Sequence, residues 1–310
     1  MKAVRLHRRG GPEQLTYEDT PKPTPGAGDA LIRVHACAIT RTELSWGTTY
    51  TTRAGVERLP TIPGHEVSGV VEAVAADAHG VQFGDAVYAL TDFWRNGAAA
   101  EYVLVRAADL APKPRNLSHA QAAAVPLSAL TAWQALFDHA GLTKGQRVLI
   151  HAAAGGVGTY AVQLAHGRGA HVIGTARAAN HGFLRDLGAD EVIDYTTVRF
   201  EDRVRDVDIV LDSVGGDTLE RSWGVLRKGG VLVTIADSVP ADKAAAYGVR
   251  GVDFIVEPSR AQLIEIARLI EAGALRVIVE ATFPLRGARA AFVRGLGGHN
   301  RGKLVLQVAE

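Results

Sequence analysis

The stretch "HAAAGGVGTYAVQLAHGRGAHVIGTARAANH", from His151 to His181, holds the residues whose types and spacing point most directly to chemistry. Gly155, Gly156 and Gly158, with Val157 among them, lie where an apolar run gives way to helical spacing. Glycines in such a turn let the backbone approach a pyrophosphate, and the N–H groups that open the helix stabilise its charge. Ala161 takes the third small position, where helix and strand pack closely. A site for NADH places an acid about 20 residues after the glycines, to accept from the ribose 2′-hydroxyl. Here the second apolar run ends at Thr175, a candidate cofactor contact, Arg177 follows Ala176, and no carboxylate occurs until Asp186. A 2′-phosphate would meet a cation, so the pattern favours NADPH. The bland readings are a connecting turn and a solvated surface arginine.

These residues need a strand–helix–strand unit to hold them. "RVLIHA" reads as the first strand and "AHVIGT" as the second. The helix between them buries Val157, Ala161, Leu164 and Ala165, spaced at i, i+4, i+7 and i+8. The apolar runs "EVIDY", "DIVLDSV", "GVLVTIA" and "GVDFIVE" follow, separated by helical stretches. Six such strands, buried on both faces, predict an α/β fold with a doubly wound parallel sheet of the Rossmann type. Before them, residues 1–120 read as short β-segments punctuated by Pro and Gly, a second, β-rich domain. Helical spacing begins at Ser118, a suitable N-cap, and stops at Gly141, which sets a boundary near residue 120. The tail from residue 259 onward exceeds what a six-stranded sheet needs, so it is expected to return to the first domain. The expected domains are 1–120 plus 259–310, and 121–258.

Composition excludes several classes. Of 310 residues, 47% are hydrophobic and 22% charged, as in globular proteins. Lys and Arg total 34 against 33 acids, leaving no field to hold nucleic acid or an anionic membrane. Cys37 is the only cysteine, which excludes an internal disulfide and a four-cysteine zinc cage. No run has the apolar length of a membrane span or signal peptide, so the expected location is cytoplasmic.

The segments "PGHEVSGVV" (63–71), "GDAVYAL" (84–90), "AAAVPLSALTAWQAL" (122–136), "HAAAGGVG" (151–158), "LGADEVIDY" (187–195), "LDSVGG" (211–216) and "RGKLVL" (301–306) resemble the medium-chain dehydrogenase/reductase superfamily. Within it they are similar to the zinc-independent quinone oxidoreductase branch. The resemblance implies a GroES-like β-barrel domain formed by both chain ends, with the active site in the cleft beside the nucleotide-binding domain. Zinc-dependent members present a Cys, the His of the GHE motif and a later Cys or acid to the metal. Those positions read Thr40, His65 and Ser128 here, so no metal is expected, because neutral hydroxyls replace thiolate poorly. Cys37, three residues before Thr40, is read as a small packed hydrophobe.

The resemblance also supplies candidate roles. Thr40 is placed nearest the nicotinamide, and Thr131 against its amide. Trp46 and Tyr50, in "ITRTELSWGTTYTTRAGVERLP", are expected to face substrate, with Tyr50 a candidate proton donor. His65 is a polar wall, and Phe93 and Trp94 form a rim. Val214, Gly215, Ala236 and Phe254 are placed near nicotinamide and ribose, and Lys303 near the adenosine phosphate. Ordinary packing is the competing reading for the aromatic residues, and a plain surface position for Lys303. Without a metal to stabilise an alkoxide, the remaining chemistry is NADPH-dependent hydride transfer to a quinone, enone or alkenal. The alternatives are a zinc-type alcohol dehydrogenase, an enoyl reductase, or a non-catalytic NADPH-binding or sensor protein. "GVDFIVE" is expected at an open sheet edge, pairing with its mate in a homodimer.

Overall fold

The computed structural model describes residues 1–309. The chain starts with β1 (Lys2–Leu6) paired antiparallel with β2 (Leu15–Asp19). The long strand β3 (Asp29–Ile39) then pairs antiparallel with β4 (Glu66–Val74) and with β6 (Tyr102–Arg106). Strand β5 (Ala86–Leu90) lies between β4 and β7 (Ala111–Pro112). Valine, isoleucine and alanine from β3, β4, β5 and β6 interlock as one core, in which Cys37 is fully buried. The β3–β4 register shifts twice, and such bulges bend a sheet towards closure. At Gly69 a Cβ would lie 2.2 Å from the Arg33 carbonyl oxygen, so only glycine allows this crossing.

Next come β8 (Arg147–Ile150), β9 (His171–Ala176), β10 (Glu191–Asp194), β11 (Val207–Asp212), β12 (Leu226–Thr234) and β13 (Arg250–Asp253). They form a wholly parallel sheet in the order β10-β9-β8-β11-β12-β13. The order reverses direction between β8 and β11, the switch point at which doubly wound sheets take ligands. β13 is an edge strand, and Ile255 just beyond it is exposed. Finally β14 (Val279–Pro284) and β15 (Lys303–Gln307) join the first sheet, with β15 antiparallel to β3.

Two compact units result: 1–130, 257–273 and 277–310 in one, and 131–256 and 274–276 in the other. The first crossing lies ten residues beyond the expected boundary, for a physical reason. His119 Nδ1 is 2.8 Å from Ser68 Oγ, and the Leu127 amide donates to Glu66 at 3.0 Å, which ties this stretch to β4. The single helix expected from Ser118 to Gly141 is also broken. Ser118 does cap a short helix, His119–Ala123, in a capping box with Gln121. Pro126 then starts a second helix, Pro126–Trp133, because it lacks an N–H and disfavours helical geometry at Val125. Residues 274–276 belong to the second unit through Gln163, which donates to the Arg276 carbonyl at 3.1 Å and accepts from its amide at 2.7 Å. Among the described residues no helix is long and apolar enough to cross a membrane.

Candidate functional site

In the second unit, the glycine turn follows β8. Gly155 is the N-cap of the helix Gly156–Gly167, and no side chain caps that end. The opening amides of a 12-residue helix are thus left for an anion. Gly158 is demanded by close approach, since a Cβ there would lie 2.4 Å from the Ala152 carbonyl oxygen and 2.6 Å from Ala153 Cα. Ala161, Leu164 and Ala165 face the core, while Val157 is only half-buried. Thr175 is buried behind the turn and does not face a ligand. Its hydroxyl accepts from the Ala152 amide at 3.3 Å and lies 3.2 Å from His151 Nδ1. Ala152 has φ 50°, an unusual value for a side-chain-bearing residue, and this contact holds it there. His151 completes the support through Nε2, 3.0 Å from Ser222 Oγ, and burial pushes its imidazole down to about 3. It is therefore neutral.

Beyond the end of β9, exposed Arg177 donates from Nε to the Tyr195 hydroxyl at 3.2 Å. The neighbouring carboxylate, Asp194, is tied into its own loop by the Ala178 amide and by the Thr196 amide and hydroxyl. After β11, buried Asp212 accepts from the amides of Val214 and Gly215 and from the Thr234 hydroxyl. Gly215, at φ 76°, brings this loop against Ala236, whose Cβ would be 3.3 Å from a Cβ at Gly215. Phe254 follows β13, its ring 4.3 Å from that of His139. The glycine turn, Arg177, Val214, Gly215, Ala236 and Phe254 therefore all follow the carboxyl ends of neighbouring strands. Thr131 is buried in the helix Pro126–Trp133. Tyr195, Asp212 and His151 escaped the sequence reading of the site. Each stood in a quoted segment, His151 opening "HAAAGGVG", Asp212 within "LDSVGG" and Tyr195 closing "LGADEVIDY", but no spacing assigned any of them a role.

In the first unit, Trp46, His65 and Phe93 form one group. Trp46 is edge-on to Phe93 at 5.6 Å and parallel to His65 at 6.4 Å, and His65 meets Phe93 at 5.0 Å. Half-buried Trp94 is outside these ring contacts, and its amide donates to Asp92. His65 is 1% exposed; its Nδ1 lies 3.1 Å from Thr91 Oγ1, and Nε2 is buried without a partner. Burial, with Arg58 adding to it, pushes this imidazole down to about 3, so it too is neutral.

Two expectations in this unit are overturned. Tyr50 is no proton donor to substrate: it is 3% exposed, packed in the core, and its hydroxyl donates to the Leu44 carbonyl at 2.5 Å. Lys303 is not at an adenosine phosphate. It is buried beneath Thr40, ion-paired with the equally buried Glu66, and its Nζ donates to Thr40 Oγ1 at 3.3 Å. Glu43 completes the cluster. Burial drives its carboxyl up to about 8; the Lys303 charge opposes that rise and Glu66 adds to it. At neutral pH the group is thus a protonated Glu43 beside a Glu66–Lys303 pair, with little net charge.

Residues 26–115 match the alcohol dehydrogenase GroES-like domain, and residues 187–306 match the zinc-binding dehydrogenase family. The chain is 37% identical to a probable zinc-binding mitochondrial oxidoreductase of Arthroderma benhamiae, over 95% of this chain and 93% of that one. The chain belongs to the medium-chain dehydrogenase/reductase superfamily, in its quinone oxidoreductase-like branch. As in other members of that superfamily, a GroES-like domain accompanies a parallel Rossmann-type sheet. The solved quinone oxidoreductase from Coxiella burnetii superimposes with a TM-score of 0.92 at 34% identity, covering 99% of both chains. A mycobacterial relative solved in complex with NADPH gives 0.88 at 30% identity, covering 99% of this chain and 100% of that one.

The superfamily implies a nicotinamide cofactor and, in many members, zinc. The residues fit the first. The uncapped helix start offers free amides beside a close-packed glycine turn, and Arg177 and Tyr195 add donors of the kind that phosphates accept from. They do not fit the second. The donor set offers one imidazole, and Thr40 already accepts a bond from an ammonium where a divalent cation would be repelled. Among the described residues, no three His, Cys, Asp or Glu converge as metal ligands.

Proposed function

We propose that the protein reduces a quinone or other conjugated carbonyl compound, an enone or alkenal, with NADPH and without zinc. The observation that carries this reading is the Lys303 ammonium bonded to Thr40, at the position where zinc-dependent relatives present a metal ligand. A pinned ammonium lacks the Lewis acidity that generates an alkoxide from an unactivated alcohol. Acceptors that delocalise charge onto oxygen need positioning and a hydrogen-bond donor.

A reduced nicotinamide held there would supply the hydride for the acceptor's carbon, the displaced electron pair would pass to the carbonyl oxygen, and water would supply the proton. Trp46 and Phe93 offer apolar faces to a planar acceptor. The Thr40 hydroxyl is the donor for its oxygen. The helix Gly156–Gly167 takes the pyrophosphate, and Arg177 with Tyr195 takes the 2′-phosphate. A second copy pairing along β13 belongs to the same proposal.

The test is stopped-flow oxidation of NADPH against quinones, enals, enoyl thioesters and saturated ketones, with metal analysis of the same protein. Rapid turnover of quinones or enals by protein without stoichiometric zinc is the expected result. Activity on enoyl thioesters alone, or stoichiometric zinc, overturns it.

A further inference from the structure

Lys303 has a role that neither its motif nor a buried ion pair alone explains. A buried ammonium is costly unless its bonds are satisfied. One bond goes to Glu66. Another goes outward to the hydroxyl of Thr40, a residue half-exposed at the end of β3.

We infer that Lys303 is a positioning residue, whose ammonium orients and polarises the Thr40 hydroxyl so that its hydrogen points at the carbonyl oxygen of the acceptor. This inference rests on the reading under Proposed function. A threonine hydroxyl has one hydrogen and two lone pairs. When an ammonium donates to one lone pair, the hydroxyl hydrogen must turn elsewhere, and its donor strength rises because bonds in a chain polarise one another. The fold keeps the ammonium in place: Glu66 holds it from one side, and Glu66 is itself held by the Leu127 amide at 3.0 Å. The Lys303 side chain is 5% exposed, so it acts on the acceptor through Thr40 and makes no contact of its own. The arrangement strengthens the bond to oxygen as negative charge develops there, which lowers the barrier more than it tightens ground-state binding.

The experiment is a double-mutant cycle on the full chain, read as kcat and KM for a quinone and an enal, with the NADPH Kd measured separately. Thr40→Val removes the hydroxyl without changing its shape and should lower kcat on the order of 100-fold, leaving KM and the NADPH Kd nearly unchanged. Thr40→Ser should restore most of that loss. Lys303→Met would leave Glu66 buried without its partner, so it is made together with Glu66→Gln, which keeps the cluster neutral. The double variant should lose kcat by a comparable factor, and adding Thr40→Val should cost little more, because both changes disable one device.

Full kcat in the Lys303→Met/Glu66→Gln protein, or losses that multiply, would overturn the inference while leaving the proposed activity intact. Should that protein not fold, Lys303→Met alone is measured with and without Thr40→Val: a kcat loss that Thr40→Val does not deepen supports the inference, and full kcat or losses that multiply end it. A wild-type protein that turns over no acceptor ends the underlying reading and this one with it.

Discussion

Arg177 and Tyr195 reach each other from the ends of two neighbouring strands, β9 and β10, and each brings a donor to the same patch. In the proposed function these two side chains carry the preference for a 2′-phosphate. Charge-assisted bonds of this kind contribute about 1.5–3 kcal/mol, so Arg177→Ala should weaken NADPH binding about 10- to 100-fold. NADH affinity should hardly move. Fluorescence titration of both nucleotides reads the ratio, and an unaltered ratio would show that Arg177 does not discriminate between them.

The glycine turn works as an element, because what matters is how closely the helix Gly156–Gly167 approaches β8. Gly158→Ala puts a methyl group 2.4 Å from one backbone atom and 2.6 Å from another, and neither can yield like a flexible side chain. The helix must move, at a cost of about 1–3 kcal/mol for overpacking of this kind. The amides that open the helix move with it, so stability and nucleotide affinity should fall together. Gly155→Ala is the control: its φ of −76° suits any residue, and its new Cβ would be 3.2 Å from the Ala152 oxygen. Urea unfolding of the two variants should rank Gly158→Ala clearly lower, and equal midpoints would refute the packing argument.

Across the whole molecule, buried titratable groups set the pH range of stability. Burial pushes His65 and His151 down to about 3, and His119 to about 4, from an ordinary 6.5. Below pH 6.5 the unfolded chain binds protons that these folded imidazoles refuse, so stability falls as pH drops towards 4. Glu43 works in the opposite direction. Its folded carboxyl, raised from 4.5 to about 8, keeps a proton that the unfolded chain gives up, so stability falls as pH rises through that window. Three histidines outweigh one acid below pH 6.5, and the acid acts alone above it, which places the maximum of these contributions near pH 6.5. Thermal denaturation from pH 5 to pH 8 should peak near there, on the order of one pH unit either way. Glu43→Gln should flatten the alkaline decline, and an unchanged slope would show that Glu43 ionises freely.

What could be read along the chain was local. Apolar runs flanked by glycine predict the parallel strands, because burial on both faces leaves a continuous run. The glycine turn and the arginine after it lie within one strand–helix–strand unit, so spacing alone brings them together. The same logic failed at Tyr50, whose burial depends on how its loop folds back over the core, and at Trp94, whose neighbour Phe93 joins the aromatic group while it does not. Lys303 shows why most clearly. It reaches Thr40 across 263 positions only because β15 runs antiparallel to β3 with Leu304 opposite Ile39, which carries the register on to Lys303 and Thr40. Sequence by itself determined the sheet, the cofactor turn and the cation after it; only strand register in the tertiary structure decided which buried charge meets which hydroxyl, because register is set by packing of the whole sheet and a one-residue slip reverses every face.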